Sequence, residues 1–92
     1  MDHVGLRVSQ AVRASISGDG LVLLDVSGGL LLASNVVGAR IWRLLEDRHT
    51  PAEIARRIAG EYGISVERAD RDVTAFISAL AARGLITGDP LC

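Results

Sequence analysis

The spacing of apolar residues changes once along this chain, near Asn35, and that change limits what it can fold into. Before it, Val4, Leu6 and Val8 alternate with Gly5, Arg7 and Ser9, and Val12, Ala14 and Ile16 alternate with Arg13, Ser15 and Ser17. A period of two puts apolar side chains on one face of a strand, so one or two strands are expected here. After it, Val37, Ile41, Leu44 and Leu45 recur at helical spacing, with Arg40, Arg43 and Glu46 on the other side. Strands followed by helices, instead of alternating with them, point to an α+β domain in which three helices cover one face of a small antiparallel sheet.

The turns between strands carry their own chemistry. Gly18-Asp19-Gly20 contains an Asp-Gly pair that tolerates positive φ and separates the first stretch from the apolar run Leu21–Val26. Ser27-Gly28-Gly29 makes a second turn before Leu30-Leu31-Leu32-Ala33, and the simplest sheet is a three-stranded antiparallel meander with an open edge. Three helices then follow. Ser34 or Asn35 can cap the first, over roughly 36–47. Thr50-Pro51-Ala52-Glu53 forms a capping box with proline at the first helical position, followed by Ile54, Ile58 and Tyr62 and by Gly63 as a stop. Ser65 can cap a longer third helix with a stripe of Val66, Ala69, Val73, Phe76, Ile77 and Leu80, ended by Gly84. Leu85-Ile86 is expected to fold back on the core, and 87–92 to form a loose tail.

With 92 residues the chain has room for one domain, with its core at about 6–86. Its apolar fraction is 49%, but Trp42, Tyr62 and Phe76 are its only aromatics, so the core must be aliphatic. No apolar run approaches the roughly 18–20 residues that span a bilayer, and Met1-Asp2-His3 does not begin a secretion signal; a cytoplasmic protein is the simplest expectation. The single cysteine, Cys92, rules out an internal disulfide and fits a reducing compartment. Ten arginines against eleven acidic residues leave a formal charge of -1, too little to attract nucleic acid or anionic membrane.

Candidates for chemistry are few. His3 lies in the N-terminal extension and His49 in a loop beside Arg48 and Thr50, where a solvated histidine is the ordinary reading; two histidines without a cysteine partner do not make a zinc or iron site. Neither glycine turn leads from a strand into a helix with nucleotide-fingerprint spacing. Glu53 belongs to the capping box, Asp25 to a strand end, and Cys92 has no basic cluster to lower its pKa. Glu67, Arg68, Asp70, Arg71 and Asp72 alternate in sign, as a solvated face does. No catalytic residues, metal or cofactor are expected. Trp42, off the Ile41–Leu45 line, is expected to be partly buried against the sheet, or else to join a partner surface.

From Leu6 to Ile86 the order of features resembles the PqqD-like family, the RiPP recognition elements, a winged-helix-like fold of three strands followed by three helices. The resemblance is carried by Asp19-Gly20-Leu21-Val22-Leu23-Leu24-Asp25, by Ser34 to Leu45 including Ile41-Trp42-Arg43, by Thr50-Pro51-Ala52-Glu53-Ile54-Ala55, by Asp72-Val73-Thr74-Ala75-Phe76-Ile77-Ser78-Ala79-Leu80, and by Arg83-Gly84-Leu85-Ile86. Each piece is partly what any capped helix or hairpin shows; the series in this order is what is specific. A free-standing chain of this size is similar to the discrete proteins of lasso-peptide pathways.

The resemblance implies a non-enzymatic protein that takes the leader segment of a ribosomally made precursor as an added strand and presents it to processing enzymes. It also implies a transglutaminase-like leader protease and an asparagine-synthetase-like cyclase as partners, and a leader bearing an aromatic residue followed shortly by a proline. The accepting edge would be Gly29, Leu30, Leu31, Leu32 and Ala33, and the helical wall Val73, Phe76 and Ile77, with Asp72 at its polar rim. At about 100° per residue Val73 and Leu80 lie mid-stripe, Phe76 toward one margin and Asp72 farther round on that side. Core roles for Phe76 and Ile77 are the alternative. An edge strand with free N–H and C=O groups supplies affinity, and flanking pockets select side chains.

Three other functions fit the same outline. One is a peptide chaperone of the PQQ-type cofactor pathway, and another a structural subunit of an enzyme. The third is a winged-helix DNA-binding regulator, against which Arg68, Arg71 and Arg83 are balanced by Glu67, Asp70 and Asp72 and the strands precede all three helices.

Overall fold

A computed structural model of the chain describes residues 7–18, 20–25 and 27–87. Val4, Leu6, Asp19, Val26, the N-terminal histidine and the tail beyond Thr87, Cys92 included, lie outside the described residues. The elements are β1 (Arg7–Val8), β2 (Val12–Ser17), β3 (Gly20–Asp25), β4 (Leu30–Ser34), α1 (Val36–Glu46), α2 (Pro51–Tyr62), α3 (Val66–Ala82) and β5 (Ile86–Thr87). The α+β plan of a three-stranded antiparallel sheet followed by three helices is present, in the order β2-β3-β4. A second, two-stranded sheet was not expected: Arg7 and Val8 pair with Thr87 and Ile86, tying the two ends of the domain together.

The turns and caps act where the sequence put them. Asp25 closes the β3–β4 hairpin by accepting at one carboxylate oxygen from the Ser27 N–H (2.9 Å), the Ser27 hydroxyl (2.7 Å) and the Gly29 N–H (2.8 Å). Those donors, the Ser27 hydroxyl first, hold the Asp25 carboxyl below its ordinary pKa. Asn35 caps α1 by accepting from the Gly38 N–H, and Ser65 caps α3 from the Arg68 N–H. Thr50 and Glu53 make both bonds of the capping box, and Gly63 ends α2.

Leu21 and Leu23 on β3 meet Ile41, Trp42, Leu44 and Leu45 of α1 in the core, joined by Ile54 and Ile58 of α2 and by Val73, Ile77 and Leu80 of α3. The helices do not lie side by side on the sheet: α1 packs against β3 and β4, while α2 pairs with α3 behind it. Three residues depart from expectation. Trp42 is fully buried, where partial burial was expected, because α1 is covered from both sides; its indole N–H has no hydrogen-bond partner among the described residues. Tyr62 and Val66, at the ends of their apolar stripes, are exposed because α2 and α3 diverge from the core there.

Gly20 shows how tightly the sheet joins the first helix. Its φ is +145°, and a Cβ there would collide with the Ser34 carbonyl oxygen and crowd the backbone of Asn35. Only glycine supplies both the conformation and the clearance.

Candidate functional site

β4 is an outer strand of the sheet, paired on one side with β3. Its register with β3 shifts: Leu23 faces Leu32 and Leu24 faces Leu30, which leaves Leu31 as the extra residue of a β-bulge. Leu31 and Leu32 are half-buried against the core, while Gly29, Leu30 and Ala33 are exposed, Leu30 to 67%. Among the described residues, no strand pairs with the other side of β4.

At the C-terminal end of β4 an open furrow of about 580 Å³ runs between the start of α1 and the face of α3. Ser34, Asn35, Val37, Gly38 and Ile41 form one wall; Asp72, Ala75, Phe76 and Ala79, with Arg68, form the other. Its depth depends on Gly38. A Cβ there would collide with the Ser34 side chain and stand 3.2 Å from Phe76 Cε1, so the missing side chain lets strand end and aromatic ring approach α1. Phe76 is half-buried, its ring packed on the core and one margin turned to the furrow. Farther along β4, Arg83 at the C-cap of α3 donates from Nη1 to the Leu31 carbonyl at 3.1 Å, bridging helix and strand.

Of the residues singled out from sequence, Asp72 and Phe76 line the furrow. Gly29, Leu30, Leu31, Leu32 and Ala33 continue the same strand edge without lining the cavity itself. Val73 and Ile77, proposed for the wall, are 1% and 3% exposed and face inward, where α2 and α1 cover the middle of the α3 stripe. They stiffen the wall from behind. The α1 side was missed altogether, because Val37 and Ile41 read as ordinary core positions; a glycine inside a helix, Gly38, was the one signal that another surface comes close. Arg83 carries no sequence signal of its role.

The furrow offers apolar surface, a carboxylate at Asp72 and a guanidinium at Arg68, on a charge-balanced helix. Among the described residues there is no group of three or more histidine, cysteine, aspartate or glutamate side chains that could hold a metal ion. His49 sits beside Glu53 at 3.4 Å, away from the furrow, within the cap of α2. No described helix is long and apolar enough to cross a membrane.

The family model for coenzyme PQQ synthesis protein D matches residues 20–86. No curated protein matches the chain. Among solved structures, TbiB1 in complex with the TbiA(beta) leader peptide is similar with a TM-score of 0.79 and 36% identity, over 90% of this chain and 96% of that one. Lasso peptide synthetase B1 complexed with the leader peptide is similar with a TM-score of 0.76 and 30% identity, over 89% and 96%.

Proposed function

The chain belongs to the PqqD family, and from that premise we propose that it binds the leader segment of a ribosomally made precursor peptide by strand addition to β4 and hands it to processing enzymes. The observation that carries this reading is an unpaired outer strand flanked by an apolar furrow, on a fold that two leader-peptide complexes share at 36% and 30% identity. Strand addition separates two tasks. Main-chain hydrogen bonds along Gly29–Ala33 supply affinity without regard to sequence, and the furrow between Phe76 and the start of α1 selects one or two side chains. An aromatic residue of the leader suits that furrow, where offset packing on Phe76 adds to apolar burial.

The chain acts as a binding protein without chemistry of its own, in the cytoplasm, in lasso-peptide biosynthesis. A transglutaminase-like leader protease and an asparagine-synthetase-like cyclase are its partners in this reading. One structural neighbour is named as a lasso peptide synthetase B1 complexed with the leader peptide, which favours this pathway over the PQQ cofactor route. The alternating charges of α3 speak against a DNA-binding helix.

Titration calorimetry with a synthetic leader from the precursor gene adjacent to this one tests the proposal. Saturable heat is expected, lost in a Leu31→Pro variant that retains its helical circular dichroism. Absence of heat at saturating leader, or a gel shift with duplex DNA at low salt, would overturn it.

A further inference from the structure

Arg83 reaches across from α3 to β4, and it does so at the bulge. Leu31, as the extra residue of that bulge, sits outside the regular ladder with β3, and its carbonyl accepts from Arg83 Nη1 at 3.1 Å. A guanidinium has five N–H donors in a planar fork. Among the described residues, no carboxylate pairs with Arg83; the arginine–carboxylate pairs are Arg40 with Glu61 and Arg43 with Glu46, both remote from β4. Arg83 is therefore a charged group whose fork is mostly unspent, exposed, and stationed on the very edge where a peptide would add.

The geometry points to Arg83 as a selectivity residue that holds the Leu31 carbonyl while the edge is empty and turns to a carboxylate of the incoming peptide when the edge is filled. This rests on the peptide-binding reading above. A strand laid beside β4 brings its own N–H groups to the edge carbonyls, so one of them takes the place of Nη1 at Leu31. The displaced guanidinium then stands beside the added strand with no carboxylate partner among the described residues. An aspartate or glutamate of the peptide, at the position flanking Leu31, completes the fork with two parallel charge-assisted bonds. A leader with an amide or a cation there leaves the arginine unpaired and is bound less well. Phe76 and Arg83 so read different features at opposite ends of the strand, one apolar and one acidic.

The test is a set of fluorescein-labelled synthetic leaders, from the precursor encoded beside this chain, in which each Asp or Glu in turn is replaced by its amide. Each is titrated by fluorescence anisotropy against the wild type, Arg83→Gln and Arg83→Lys. One replacement is expected to weaken binding to the wild type by about fivefold and to leave binding to Arg83→Gln unchanged, with Arg83→Lys between the two. If the wild type binds the leader and no replacement couples to residue 83, the role given to Arg83 is wrong while the peptide-binding reading stands. If the wild type binds none of the labelled leaders, the peptide-binding reading itself falls, and this one with it.

Discussion

The three-stranded sheet has two outer strands, and they differ in what stands beside them. β2 presents Arg13, Ser15 and an Ile16 that is 39% exposed, and the hollow next to its end is shallow, about 270 Å³, bordered by Tyr62, Arg40 and Arg43. Arg40 is already spent in a bidentate pair with Glu61. β4 is apolar, bulged and held at one end by a carboxylate turn, and α3 runs past it to make the wall of a furrow twice as large. Both are outer strands; β2 carries Arg13, Ser15 and Ser17 among its exposed residues, whereas β4 carries leucines beside an apolar furrow. What distinguishes the two edges is the element set beside each of them.

The largest effect is expected at the joint that keeps β4 in place. Gly20→Ala puts a methyl group into the Ser34 carbonyl at a φ of +145°. Backbone strain and overpacking together are expected to cost about 3 kcal/mol, read as a drop in urea midpoint, with β4 amides losing hydrogen-exchange protection before those of β2. Equal loss at both strands would mean that the joint serves the whole sheet.

Next comes binding itself. Phe76→Asp places a charge on the margin of the furrow and is expected to weaken leader binding by about 100-fold, the scale of a central anchor. Ile16→Asp makes the same chemical change beside β2 and is expected to leave affinity within about twofold. Anisotropy titrations of both variants decide it, and a comparable loss for Ile16→Asp would move the site to the wrong edge.

Asp25 makes the comparison depend on pH. Its folded-state pKa is lowered by the Ser27 hydroxyl and by the Gly29 and Ser27 N–H groups. The stabilisation is thus fully present above the unfolded value of about 3.9 and is lost as pH falls through the lower folded value. On acidification the amides of the β3–β4 turn should shift and lose protection while the β2–β3 hairpin does not follow them. In Asp25→Asn the turn should already be loosened at neutral pH and lack that acid transition; an unchanged transition would assign it to Glu53 or Glu61, whose pKa values are also lowered.

The helix starts and one open edge at residues 29–33 were legible in the amino-acid sequence. Ser34 or Asn35, Thr50-Glu53 and Ser65 announced the three helix starts because capping is local chemistry, and the structure selects Asn35 for the first. Helical angle put Phe76 at one margin of the α3 stripe and Asp72 farther round on that side, and the family resemblance supplied the groove beside them. What stayed hidden depends on long-range closure. The pairing of Arg7–Val8 with Ile86–Thr87 is two residues long, and the alternation that ends at Val8 announces a strand without naming its distant partner. The burial of Val73 and Ile77 follows from where α1 and α2 sit, and the Arg83–Leu31 bond joins residues 52 positions apart. Fold elements are written locally; the width of the gap between two of them is not.

The smallest effect is expected far from both edges, at Trp42. The ring is packed between sheet and helices, and replacing it with a smaller one leaves a void that costs of the order of 1–3 kcal/mol in a tight core. Its indole N–H, however, is buried without a partner among the described residues, a group whose desolvation costs about 1–3 kcal/mol and which phenylalanine lacks. The two terms oppose each other, so Trp42→Phe should change stability by about 1 kcal/mol or less and leave leader affinity unaltered. A loss near 3 kcal/mol in denaturant unfolding would show that the N–H is satisfied in solution, by water or by a residue outside those described.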